Sequence, residues 1–305
     1  ADEQVLLFKS RLDLLPDVNQ VSKTDRSLIV LAKAAYAAMT EMQKFLLGDE
    51  YAEKLAAAEA ALLKEEKDHK LRILCVGSST CEGVGSSNNN VYSYPAQLQT
   101  LLGSGYVVIN KGVSGTTVAD KGGNPYRKTA RYQESLTSNP DLVFMFVGSN
   151  DAVYEAWNRT DIDYPEHFRD SYISLMNDYK NLASNPTVVV TYPYRTFGHA
   201  EGRDDLVPRV VIPMLDQIAE ETGSPVMDLY EPTNFAQLSA SYKDLMPDGL
   251  HPNDQGYALI AEAAEQYMGA YTEANLTELK AGGAAIELTD GIYEYAVKAA
   301  GDAYP

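Results

Sequence analysis

Five short apolar runs, each bounded by glycine, proline or polar residues and separated by helical text, constrain this chain more than anything else in it. They are LRILCVG (71–77), YVVIN (106–110), DLVFMFVG (141–148), TVVVTYP (187–193) and PVMDL (225–229). Runs this short, without polar–apolar alternation, read as strands buried on both faces, as in a parallel sheet. Helical spacing fills the gaps over Pro95 to Leu102, Pro165 to Leu182, Val207 to Glu221 and Asp254 to Met268. Strand and helix in alternation mean right-handed crossovers. The expected architecture is therefore α/β, a three-layer α/β/α sandwich on a five-stranded, mainly parallel sheet. Ligands of such sheets bind beyond the carboxyl ends of the strands, so chemistry is to be sought just after each run.

The flanks read differently. Up to residue 69 the text is helical, with Val5, Phe8, Leu12 and Leu15 on one face before Pro16 stops the run. Ser22 and Asp25 resemble a capping box ahead of Leu28, Leu31 and Ala35, and Asp49 can cap a third segment marked by Tyr51, Leu55, Ala58 and Leu62. Three amphipathic helices predict a small three-helix bundle. His69 reads as a solvated helix-end residue. After about Thr272 the helical text ends, and AAIELTDGIYEYAVKA (284–299) alternates around Asp290-Gly291, the signal of a β-hairpin. The expected division is a helical spacer at 1–69, an α/β domain at 70–272 and a β-rich tail at 273–305, the truncated start of a further module.

Charge narrows the function classes. Lys and Arg number 25 against 43 Asp and Glu, a net charge of −18. A chain this acidic lacks the cationic face that nucleic acid or anionic lipid demands. The longest apolar candidate for a membrane span, Leu28 to Met39, is broken by Lys33. Two cysteines, Cys75 and Cys81, make no disulfide framework, and the four histidines show no HxH or HxxxH spacing, so neither metal nor other cofactor is expected. The chain starts at Ala1 without methionine or signal segment, as a mature or trimmed chain does, which leaves secretion open.

Four segments in the predicted loops carry chemically useful residues. The first is Gly77-Ser78-Ser79-Thr80-Cys81-Glu82-Gly83 and the second Asn110-Lys111-Gly112-Val113-Ser114-Gly115-Thr116-Thr117. Gly148-Ser149-Asn150-Asp151 and Asp248-Gly249-Leu250-His251-Pro252-Asn253 complete the set. Singly, each has a plain structural reading. Ser79 can be a turn serine, Gly115 a position of positive φ, Asn150 with Asp151 a helix cap, and His251 a surface histidine in a capped loop.

Jointly and in this order, the four blocks resemble the SGNH hydrolases, also called GDSL-like lipases/acylhydrolases, over roughly Leu71 to Met268. The resemblance implies a flavodoxin-like α/β/α fold and a serine esterase. It puts the catalytic triad at Ser79, His251 and Asp248, and an oxyanion hole at Ser79, Gly115 and Asn150. The chemistry agrees. A serine hydroxyl needs a base within reach, and His251 is the only histidine with a carboxylate three residues away in a Gly/Pro-bounded loop. The departure is Ser78, where the family's block reads Gly-Asp-Ser. Ser78 and Cys81 stand as minor alternative nucleophiles, and Cys75 reads as core.

Tyr92-Ser93-Tyr94-Pro95-Ala96-Gln97-Leu98 and Asn124-Pro125-Tyr126 are similar to the bacterial carbohydrate and sialate O-acetylesterase branch of the family. That implies an acetylated glycan substrate, with a lipid acylhydrolase or an inactive carbohydrate-binding module as alternatives. The chain's 21 Tyr against 7 Phe and 1 Trp are compatible with sugar stacking, or simply with surface tiling. Lys111, Lys121, Arg127, Lys128 and Arg131 crowd one segment opposed only by Asp120. Lys111, Arg127 and Arg131 are expected to bind an anionic sugar, the alternative being a solvated helix face. The helical leader resembles FIVAR-like spacer repeats of Gram-positive surface proteins, and the tail a cadherin-like β-sandwich module. Both imply flanking modules of a larger, extracellular multi-modular protein.

Overall fold

The computed structural model describes residues 3–22, 25–68, 70–121, 123–281, 284–289 and 292–297. The chain groups into two compact units, Leu71–Tyr271 and a second made of Ala1–Lys70 with Thr272–Pro305. The tail expected as a separate segment at 273–305 is thus grouped with the helical leader. His69, Asp290 and Gly291 lie outside the described residues.

Among the described residues the leader holds four α-helices rather than three: α1 (Glu3–Leu12), α2 (Arg26–Ala37), α3 (Glu41–Leu47) and α4 (Asp49–Asp68). The extra one has a clear local cause. Thr40 accepts from the Gln43 N–H while the Gln43 side chain accepts from the Thr40 N–H at 2.7 Å, a complete capping box, and Gly48 at φ +90 ends the helix one residue before α4. Phe8, Leu12, Leu15, Leu55, Ala58 and Leu62 face the core as their spacing predicts. On α2, Ala35 is buried and Leu28 packs against the core as expected, but Ile29 and Ala32 also point inward and Leu31 is exposed. Its sequence is apolar nearly all round, so periodicity alone cannot fix which stripe is buried. The hairpin pairs Ala284–Thr289 antiparallel with Ile292–Val297, Thr289 opposite Ile292.

The larger unit is built on β1 (Leu71–Gly77), β2 (Tyr106–Asn110), β3 (Leu142–Phe146), β4 (Thr187–Thr191) and β5 (Val226–Met227). They form one parallel sheet in the order β2-β1-β3-β4-β5. Ile73 sits in register with Val108 on one side and Leu142 on the other. The helices α5 (Tyr94–Leu102), α6 (Tyr164–Lys180), α7 (Ile212–Thr222) and α8 (Asp254–Ala281) pack the sheet or extend from it. Helix α8 runs past Thr272 to Ala281, because residues 272–281 contain no glycine or proline and the first stop signal is Gly282-Gly283.

Part of the tyrosine excess is spent inside. Tyr94, Tyr126, Tyr164, Tyr172, Tyr179 and Tyr257 are among the largest fully buried side chains. Two of their hydroxyls reach loops: Tyr126 donates to the Lys111 carbonyl and Tyr257 to that of Val84. A buried phenol fills volume as phenylalanine does and also supplies a donor for backbone that helices and strands leave unsatisfied.

Candidate active site

Strand β1 ends at Gly77, and Ser79 opens a one-turn helix, Ser79–Glu82, that Gly83 closes at φ +97. Gly77 is required by close approach: a Cβ there would lie 2.6 Å from the Phe146 carbonyl oxygen of the neighbouring strand. Ser79 is 7% exposed, enough for its hydroxyl to be reached from one side.

His251 arrives from the other end of the chain. Its Nε2 lies 3.0 Å from Ser79 Oγ and its Nδ1 2.7 Å from Asp248 Oδ2. The three-residue spacing works because of a local turn. Asp248 Oδ1 accepts the backbone N–H groups of Leu250 at 2.9 Å and His251 at 2.7 Å, which leaves Oδ2 aimed at the ring. Partial burial raises the Asp248 carboxyl, but these two N–H donors and the imidazole outweigh it and hold the group below the usual carboxylate range.

Two ties brace the serine against the histidine loop. The Tyr194 hydroxyl donates to the Leu250 carbonyl at 2.7 Å and accepts from Thr80 Oγ, also at 2.7 Å, joining the residue after Ser79 to the residue before His251. Phe197 N–H donates to the Gly249 carbonyl, and Gly249, at φ +75, has the Phe197 carbonyl oxygen only 2.1 Å from where a Cβ would sit.

The second and third blocks converge on the same place. Val113 N–H donates to the Gly77 carbonyl, and Ser114 N–H donates to Glu82 Oε2 at 2.5 Å, pinning the loop to the serine helix. Gly115 follows at φ +73, with open space where its Cβ would be. Asn150 Nδ2 donates to the Thr116 carbonyl at 2.9 Å, which brings Asn150 beside Gly115. The neighbouring Asp151 is completely buried and accepts from the N–H groups of Val118 at 2.9 Å and Ala119 at 3.0 Å. Desolvation pushes its carboxyl up to about 6 despite these donors and the Tyr164 hydroxyl.

The alternative nucleophiles are poorly placed. Cys75 and Cys81 are fully buried thiols; burial pushes Cys75 up to about 12 and Cys81 well above its ordinary value. Ser78 is the buried residue preceding the helix, and it is Ser79 that bonds the imidazole.

A sequence model of the GDSL-like lipase/acylhydrolase family matches residues 75–259. The chain belongs to this family. An acetylxylan esterase of Xylanibacter ruminicola is 28% identical over 214 residues, covering 64% of this chain but 42% of that protein. Another, from Geobacillus stearothermophilus, is 28% identical over 210 residues, covering 63% of this chain and 88% of its own length. The chain thus spans less than half the length of the first of these relatives. Among solved structures, the Geobacillus acetylxylan esterase superposes at a TM-score of 0.52 with 24% identity over 67% of this chain and 96% of its own. A carbohydrate acetylesterase family member from Sinorhizobium meliloti gives 0.52 with 16% identity over 66% and 98%. These likenesses are of fold.

As a GDSL-like chain, this protein gathers Ser79, His251, Asp248, Gly115 and Asn150 at one place. The three cations singled out in its sequence for substrate, Lys111, Arg127 and Arg131, are held in ion pairs. Lys111 and Arg131 pair with Glu134 at 2.7 and 3.3 Å, and Arg127 pairs with Asp178 and, at 3.9 Å, Asp120. Counting charge along the segment misses Glu134 and Asp178, which lie beyond it and fold back. Sequence reasoning gave Tyr194, Arg203 and Glu82 no role and read Asp151 with Asn150 as a helix cap, whereas Asp151 accepts from Val118 and Ala119; these partners are fixed only by the fold. The one available signal was Asp151, a carboxylate directly beside the block asparagine.

Proposed function

We propose that this chain is a serine esterase that removes acetyl groups from carbohydrate through an acyl-enzyme. The observation that carries the reading is the continuous Asp248–His251–Ser79 chain, with contacts of 2.7 and 3.0 Å. His251 Nε2 takes the Ser79 proton as Oγ attacks the acetyl carbonyl carbon, and Asp248 holds the ring and balances the imidazolium. Negative charge moves to the carbonyl oxygen, where the N–H groups of Ser79 and Gly115 and the Asn150 amide receive it. Collapse breaks the ester bond, and the departing sugar oxygen takes the proton from His251. Water then gives His251 a proton as it attacks the acetyl-serine, that proton returns to Ser79 Oγ as the acyl–oxygen bond breaks, and acetic acid leaves and ionises in solution. No other group is needed to balance either half.

The acetyl-carbohydrate part of the reading is supported by the two relatives named as acetylxylan esterases, at 28% identity each. A secreted or surface-attached protein with further modules fits such a substrate. No helix among the described residues is long and apolar enough to cross a membrane.

A short-chain aryl acetate tests the chemistry. Wild type should hydrolyse it, and Ser79→Ala should lose roughly 10⁴- to 10⁶-fold in kcat. Equal rates in the two proteins reject the serine mechanism. Acetate release from a panel of acetylated glycans, set against acetyl and octanoyl aryl esters, then tests the substrate. Faster octanoyl turnover with no glycan release would turn the reading toward a lipid acylhydrolase.

A further inference from the structure

We infer that Arg203 is the positioning residue for Asn150, fixing the orientation of its amide and strengthening the N–H it offers the oxyanion. The inference rests on the esterase reading, in which Asn150 is one of three such donors.

Arg203 opens the one-turn helix Arg203–Leu206, 53 positions along the chain from Asn150, and its side chain is 9% exposed. The guanidinium spreads its donors three ways. Nε meets the Ser149 carbonyl at 3.0 Å, Nη2 faces Asn150 Oδ1 at 3.4 Å and Nη1 meets Glu201 Oε1 at 2.5 Å. A rigid planar fork can serve three directions at once; an ammonium on a flexible stem cannot. The approach is itself fixed. Gly202 takes φ +122, where a Cβ would lie 3.0 Å from the Tyr154 backbone nitrogen, and the Glu201 carbonyl accepts from Tyr154 N–H at 2.8 Å.

The Asn150 amide therefore sits between neighbours of opposite demand. The Thr116 carbonyl requires a donor and holds Nδ2 at 2.9 Å; the guanidinium requires an acceptor and faces Oδ1. A flipped amide would set oxygen against carbonyl and NH₂ against a cation. Held as it is, Nδ2 keeps its second hydrogen for the substrate. At 3.4 Å the Arg203 contact is long for a hydrogen bond and acts as charge on dipole. It draws electron density toward Oδ1, which makes the N–H a stronger donor. Full negative charge develops on the substrate only in the tetrahedral state, so this help belongs in kcat rather than KM.

The test compares Arg203→Gln, Arg203→Lys, Asn150→Ala and the Arg203→Gln/Asn150→Ala double variant on an aryl acetate, with thermal melting to establish folding. Arg203→Gln should lower kcat about 10- to 100-fold, less than the roughly 10²–10³ lost with the donor itself, while KM stays within about twofold. Arg203→Lys should recover part of the loss, and Arg203→Gln should add little once Asn150 is alanine. A raised KM at unchanged kcat, or full additivity with Asn150→Ala, overturns the inference.

A second readout needs no turnover. The Asn150 side-chain amide resonances, assigned by their loss in Asn150→Ala, should shift in both Arg203 variants. Unmoved resonances in a folded Arg203→Lys also overturn the inference. If wild type and Ser79→Ala hydrolyse the ester alike, the esterase reading fails, and these resonances still decide whether Arg203 holds the amide.

Discussion

Asp151 carries a charge where no solvent reaches it, and it is the loop with Gly115 that depends on it. Its two oxygens take the N–H groups of Val118 and Ala119, so the carboxylate substitutes for a strand partner that this stretch lacks. Burial moves its pKa from 3.8 to about 6, which sets the sign of its pH dependence. Between those values the native state keeps a proton that the unfolded state has released, so stability falls as pH rises through the window and levels off above it. Denaturant unfolding of wild type and Asp151→Asn from pH 4 to 7 isolates this group. The wild type should lose stability relative to the variant between about pH 4 and 6. A constant difference across that range contradicts the assignment. Asp248 behaves oppositely: held below the usual carboxylate range, it adds stability that is lost only as the solution becomes strongly acidic.

At the scale of elements, the site is a contact between the Ser79–Glu82 helix and the loop after β2, and glycine sets its closeness. A Cβ on Gly112 would lie 2.3 Å from the backbone nitrogen of Glu82, an atom that cannot yield without moving the serine helix. Gly115 has positive φ and empty space in front of it. The two glycines therefore fail differently. Gly112→Ala should destabilise by about 1–3 kcal/mol through overpacking and lower kcat by displacing Ser79. Gly115→Ala should cost about 1–2 kcal/mol through left-handed backbone strain alone. Thermal melts with aryl-acetate kinetics separate them; a Gly112→Ala protein of wild-type kcat would show that the serine helix does not feel the loop. The same geometry explains what was legible in the sequence. The first three blocks could be read because a parallel sheet delivers its polar residues just after an apolar run, and the fourth, Asp248 to His251, through the family resemblance that joins all four. Arg203 and Tyr194 could not, because each acts on residues 53 or more positions away that only folding brings near. Helix α3 was missed for a smaller reason: it is only seven residues long, and its Thr40–Gln43 cap lies between the two longer segments marked by Leu28–Ala35 and Tyr51–Leu62.

For the whole molecule, the charge of −18 sets the long-range field, and three of the cations expected to oppose it, Lys111, Arg127 and Arg131, are engaged in ion pairs. Lys111, Arg127 and Arg131 pair with Glu134, Asp178 and Asp120, and Lys121 and Lys128 of the same segment add two further positive charges. A glycan bearing carboxylates must then approach an acidic protein, whereas a neutral acetylated glycan meets no such barrier. Salt distinguishes the two. The screening length falls from about 30 Å at 0.01 M to about 8 Å at 0.15 M, so repulsion of an acidic substrate should largely vanish over that range. KM for an acetylated uronic-acid oligosaccharide should fall as salt rises, while KM for a neutral acetylated oligosaccharide should stay level. Arg127→Glu and Arg131→Glu each add two negative charges, so at low salt they should raise KM for the acidic ester and leave the neutral one level, a difference that salt should erase. A KM for the acidic ester that rises with salt, and rises further in the Arg127→Glu protein, would mean that the ion pairs open to bind substrate and that the segment selects for negative charge after all.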